Sequence, residues 1–172
     1  GLGLALKQHQ RAWALEHGIT TVSWTCDPLV RRNVAFNLHA LGARVVGYLR
    51  DHYGPMNDGV NKGDESDRLS VHWDLLSRAA VAAERARLPW LVSTAPHAVA
   101  LGPDGLPVVT AVAGAERQVQ LPEDVEGVRR ADPQAGRAWR LAVREGVLAG
   151  LAQGQSVTGM TADGALVMEV SP

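Results

Sequence analysis

The sequence of 172 residues predicts an α/β fold, in which a mixed sheet flanked by helices is followed by an α/β carboxy-terminal extension. Two patterns predict it. Runs of helical and strand period alternate through residues 1–74 in the order helix, strand, helix, strand, strand. In residues 75–172 two turn sequences each separate a pair of strand-like runs, on either side of a long helical stripe. With 46% apolar and 20% charged residues the composition is that of a folded chain, and at this length about 70% of the unfolded surface is buriable.

Each element has its own signal. Residues 2–17 place Leu2, Leu6, Trp13 and Leu15 among alanines at a helical period, and Gly18 supplies the stop. Residues 19–26 are rich in β-branched side chains and end at Asp27-Pro28, a strand running into a turn. A second helix fits 29–41, stopped by Gly42, and strands fit 43–48 and 69–73. The strands from 19 and 43 are expected to be neighbours, with the strand from 69 antiparallel to the second. Residues 53–67 between the last two strands form a long loop rich in turn formers, whose glycines fall where a twelve-residue calcium loop needs oxygen ligands; this argues against calcium.

The second half opens with an alanine-rich helix at 76–87, ended by Pro89. Pro103-Asp104-Gly105 joins strands at 98–101 and 108–112, and Ala162-Asp163-Gly164 joins strands at 157–160 and 166–170. Between these hairpins Asp132 is an N-cap and Pro133 a first helical residue, leading into a stripe of Trp139, Val143, Val147 and Leu151 before Gly154. The five tryptophans, Trp13, Trp24, Trp73, Trp90 and Trp139, are expected as core anchors.

Seventeen Lys and Arg against eighteen Asp and Glu leave a net charge of -1 with no basic block, so neither nucleic acid nor an anionic membrane is an electrostatic partner by default. A single cysteine, Cys26, forms no internal disulfide and suits a reducing, cytoplasmic compartment. No apolar run approaches the roughly 20 residues that span a bilayer, and no signal peptide is evident. His9, His17, His39, His52, His72 and His97 have no metal-ligand spacing, and no metal is expected.

Gly1 and Gly3 open the first helix, whose leading N–H groups lack intrahelical partners and carry the positive end of the dipole, a place for phosphate. No Gly-Lys-Ser/Thr follows, and the last glycine of a dinucleotide fingerprint is missing. Gly1-Leu2-Gly3-Leu4-Ala5-Leu6 resembles the end of the acetyl-CoA signature of the GNAT acetyltransferase superfamily, Gln/Arg-x-x-Gly-x-Gly/Ala. Further segments, among them Trp24-Thr25-Cys26-Asp27-Pro28, Arg32-Asn33, Phe36-Asn37-Leu38, Leu41-Gly42, Met56-Asn57-Asp58-Gly59 and Ser66-Asp67-Arg68-Leu69, resemble a little-characterised subgroup of predicted GNAT acetyltransferases. So do Val119-Gln120-Leu121-Pro122-Glu123-Asp124-Val125 and Ala138-Trp139-Arg140 in the extension.

The resemblance implies a GNAT-like sheet lacking its amino-terminal strands, with residues 1–74 as the carboxy-terminal half of the acetyl-CoA-binding fold and 75–172 as an extension packed on the same sheet. It implies transfer of acetyl from acetyl-CoA to a small-molecule or peptide amine by a full-length form. The pyrophosphate would meet the backbones of Gly1, Leu2, Gly3 and Leu4, and the pantetheine arm Asn33 or Asn37, with Phe36 against it. Many members carry a tyrosine acid where this chain has Leu38, so the acid falls to Tyr53 or, second, Tyr48, the two tyrosines present; Glu65 and Asp67 are candidate bases. An edge left by an absent fourth strand would be covered by the later hairpins, by another subunit or by a separate amino-terminal portion. The alternative is a non-catalytic scaffold used for protein association or ligand sensing.

Overall fold

A computed structural model describes residues 1–54 and 65–170. The loop between the second and third strands, with the calcium comparison, falls largely at 55–64, outside the described residues. The fold is mixed α/β, with two sheets flanked by helices. The first half gives α1 (Leu2–Glu16), β1 (Thr21–Cys26), α2 (Arg31–Ala35), β2 (Arg44–Leu49) and β3 (Arg68–Asp74). The expected order of elements holds. The expected pairing holds in part: β3 is antiparallel to β2 as expected, but β1 and β2 are not neighbours, because β3 lies between them and is antiparallel to both. β3 is apolar at alternate positions, with Leu69, Val71 and Trp73 wholly buried, and burying that row takes the centre of the sheet.

α2 continues without a break into a π-helical turn, Phe36–Ala40, closed by the Leu41 N–H on the Phe36 carbonyl at 3.2 Å. The wider turn directs Asn37, Leu38, His39 and Ala40 inward together, and all four are buried. Gly42 ends it at φ +64°, where a Cβ would stand 2.5–2.8 Å from the backbone of Ala79 and Ala80. Only glycine fits both demands.

Beyond Asp74 the chain adds α3 (Arg78–Arg85), β4 (His97–Leu101), β5 (Pro107–Val109), β6 (Glu116–Gln120), α4 (Val125–Ala131), α5 (Pro133–Ala152), β7 (Gln155–Met160) and β8 (Ala165–Val170). Both hairpins form, and β6 joins them, parallel to β4 and antiparallel to β8, in a second sheet ordered β5-β4-β6-β8-β7. β2 lies against β7. The hairpins therefore build their own sheet rather than covering β1, and among the described residues no strand pairs with the outer edge of β1.

One core runs through both halves, from Leu29, Leu41 and Trp73 to Val99, Trp139, Val143 and Met168. α5 is capped by Asp132, whose side chain accepts from the Gln134 N–H at 2.8 Å, and approaches the second sheet closely at Gly146, where a Cβ would meet Val99 at 2.8 Å. Trp73 and Trp139 are core anchors, their indole N–H groups donating to the carbonyls of Leu41 and Gly105. Trp24 is half-buried, edge-on to Trp73. Trp13 and Trp90 are not core, at 51% and 46% exposed; each covers an imidazole instead, that of His17 and of His39. Among the described residues no helix is long and apolar enough to cross a membrane.

Candidate functional site

α1 and β1 are antiparallel neighbours: the Lys7 ammonium stands 4.0 Å from the centroid of the Trp24 ring. The start of α1 therefore lies at the end of the sheet where β1 stops, β3 begins and β2 finishes, with Cys26, Leu69 and Tyr48 in register across the three strands. α2 starts there as well. Gly1 caps α1 without a side-chain partner, the first turn holds no acidic residue, and open space surrounds the Cβ positions of Gly1 and Gly3. Gly1, Leu2 and Gly3 are exposed and Leu4 half-buried. This helix terminus has free donors, positive potential and room beside it.

The two asparagines separate. Asn33 is exposed on the first turn of α2, whereas Asn37 is buried and its Nδ2 donates to Cys26 Sγ at 3.4 Å. Burial pushes the Cys26 thiol up to about 11, against a smaller opposing effect of the Asn37 hydrogen bond. It is a thiol, not a thiolate, at neutral pH. Phe36 is half-buried against the core.

The tyrosines separate more sharply. Tyr53 is 60% exposed, its hydroxyl 3.0 Å from Thr25 Oγ1 beside the end of β1, its ring meeting His52 edge-on and lying 5.1 Å from the Arg68 guanidinium. Tyr48 is buried and donates its proton to Asp67 Oδ2 at 2.6 Å; burial and then the Asp67 carboxylate drive its proton affinity far above the ordinary phenol.

Around this end runs a network that no sequence pattern announced. Asp27 accepts from the two terminal Arg140 nitrogens at 2.8 and 3.0 Å, from Arg129 at 3.3 Å and from the Leu29 N–H at 2.9 Å. Asp67, fully buried, accepts from Arg144 Nε at 2.8 Å, from Tyr48 and from the Asp51 N–H at 3.0 Å. Burial is the largest single influence and would raise both carboxyls; the hydrogen bonds and positive charges around them, foremost the hydrogen bond of Arg140 at Asp27 and of Arg144 at Asp67, together outweigh it and hold both below the usual carboxylate range. Arg144 also binds Glu65, so the two candidate bases share one guanidinium and Asp67 has no access to a substrate. Arg140 and Arg144 are one turn apart on α5, which thereby clamps the end of the first sheet.

Comparison with protein-family models, with curated proteins and with solved structures found no match.

Proposed function

We propose that the chain is the carboxy-terminal part of a cytoplasmic GNAT-like N-acetyltransferase that holds acetyl-CoA at the start of α1. The observation that carries this reading is the convergence, at one end of β1, of an uncapped glycine-opened helix N-terminus, the start of α2 and the exposed Tyr53 hydroxyl. The backbone N–H groups of Gly1, Leu2, Gly3 and Leu4 face the pyrophosphate, and Asn33 rather than the buried Asn37 reaches the pantetheine arm. The amine nitrogen attacks the thioester carbonyl, its proton leaves to solvent, and the tetrahedral intermediate collapses by breaking the C–S bond. The departing thiolate takes its proton from Tyr53. Tyr48 is poorly suited to that role, because its proton is already committed to Asp67.

Calorimetry tests the reading with CoA titrated into this chain and into a form extended by the residues encoded before Gly1. Binding to the extended form that weakens as salt rises, with little or none to this chain, is expected. In the extended form Tyr53→Phe lowers turnover at least about 100-fold and leaves CoA affinity unchanged, the effect of losing a positioned acid. Absence of binding in both forms overturns the reading and favours a non-catalytic scaffold. That second reading draws on Leu38, which the hydrophobic core buries at the position where an acid would stand.

A further inference from the structure

The opposite end of the first sheet, where β1 and β2 begin and β3 ends, borders a cleft of about 370 Å³, within the range of small-molecule sites. Leu38, Ala43, Ala79, Leu88 and Leu91 make most of its wall apolar, and residues 88–91 cross it as a strap, held by the Leu88 N–H on the His39 carbonyl and the Leu91 N–H on the Met160 carbonyl, both at 2.9 Å.

The polar groups of the cleft stand out because their partners are incomplete. Arg44 and His72 are cross-strand neighbours, so their side chains leave the same face of the sheet, and Asp74 follows two residues after His72 on that face. Among the described residues no hydrogen bond or ion pair engages the Arg44 guanidinium or the His72 ring. Asp74 uses Oδ1 to accept from the Leu76 N–H at 3.0 Å, which leaves Oδ2. His39, 6% exposed, donates from Nδ1 to the Leu88 carbonyl at 3.3 Å, so Nε2 carries a lone pair, and among the described residues that atom has no partner. Burial lowers its proton affinity and keeps the ring neutral. A buried acceptor without a donor is uncommon in native structures.

Among the described residues the cleft thus offers a free cation, a half-free carboxylate, an apolar wall and an orphan acceptor, a set complementary to a zwitterion with an apolar body and a remote donor. We propose that this cleft binds an aromatic α-amino acid bearing a ring N–H or O–H. Arg44 takes its carboxylate, Asp74 its ammonium group, the leucines its ring, and His39 Nε2 accepts from the ring donor as the strap moves aside. The site is separate from the start of α1, and the proposal is independent of acyl transfer.

L-Tryptophan is the probe, titrated by calorimetry into the whole chain with imidazole proton resonances followed in parallel. Saturable binding with a dissociation constant of about 1 mM or tighter is expected, in keeping with a ligand of this size. Tryptophanamide, lacking the carboxylate, and 1-methyl-L-tryptophan, lacking the ring N–H, each bind at least about 5-fold more weakly, and Arg44→Gln weakens tryptophan at least about 10-fold. Arg44 is exposed, so that variant keeps its fold. No saturable binding, equal affinity for the three ligands, or an Arg44→Gln protein that binds tryptophan like the wild type overturns the proposal.

Discussion

The two ends of the three-stranded sheet use the same residue types to opposite purposes. Where β1 stops, Arg140 and Arg144 find Asp27 and Asp67 within the chain, at 2.7–3.0 Å and almost without solvent. Where β1 starts, Arg44, His72 and one oxygen of Asp74 have no partner among the described residues. An arginine satisfied by its own fold is architecture. A polar group that the fold brings to a cleft and leaves unsatisfied is where a ligand belongs. By that criterion the clamped end would bind through backbone donors and Tyr53, and not through its many charges.

The largest expected difference between the ends is in stability. Arg140→Met takes from Asp27 its closest cation, leaving Arg129 and Arg68 at 3.3 and 3.9 Å, and should cost about 2–3 kcal/mol in urea unfolding, whereas Arg44→Gln, on the surface, should stay within about 0.5 kcal/mol. Comparable losses in both variants would erase the distinction. Next comes pH. Because Asp27 and Asp67 titrate lower when folded than when unfolded, their stabilisation is complete above the ordinary carboxylate value and is lost as pH falls through the folded value. Denaturant midpoints measured from pH 7 down to pH 3 should fall steeply in the wild type. In Asp67→Asn, about 2 kcal/mol less stable at pH 7, the fall should be shallower. A parallel decline would remove Asp67 from the account. The smallest effect separates the tyrosines: Tyr48→Phe should cost about 1–2 kcal/mol through the lost bond to a buried carboxylate, and Tyr53→Phe nothing measurable in stability.

How much of this was legible in sequence depends on distance along the chain. α5 was readable residue by residue, because Asp132, Pro133 and the stripe from Trp139 to Val147 are local signals, and both hairpins were announced by Asp-Gly turns. β6 was not. Its sequence, Glu116-Arg117-Gln118-Val119-Gln120, is polar at four of five positions, yet it is central in its sheet. Its buried glutamines bind loop carbonyls, Gln118 that of Ala95 at 2.7 Å and Gln120 that of Asp163 at 2.8 Å, which no period reveals. The place of β3 between β1 and β2 is likewise a tertiary choice. At the candidate site the glycines and both tyrosines were visible, but the burial of Tyr48 on Asp67 depends on Arg144, 77 residues away from that carboxylate. Arg44, His72 and His39 carry no motif; only their convergence on one cleft singles them out.

The arginine clamp also has a consequence for timing. Asp27 leaves the ribosome 113 residues before Arg140, an interval of roughly 6 to 23 seconds at ordinary elongation rates. Until α4 and α5 are made, the Asp27 carboxylate has only Arg68, at 3.9 Å, of its three cations, and the apolar face of the first sheet has only part of its cover. The strands synthesised first are thus among the last to settle. A nascent chain halted near residue 100 should be open to protease along β1 to β3, and should become resistant only once the whole of α5 has emerged.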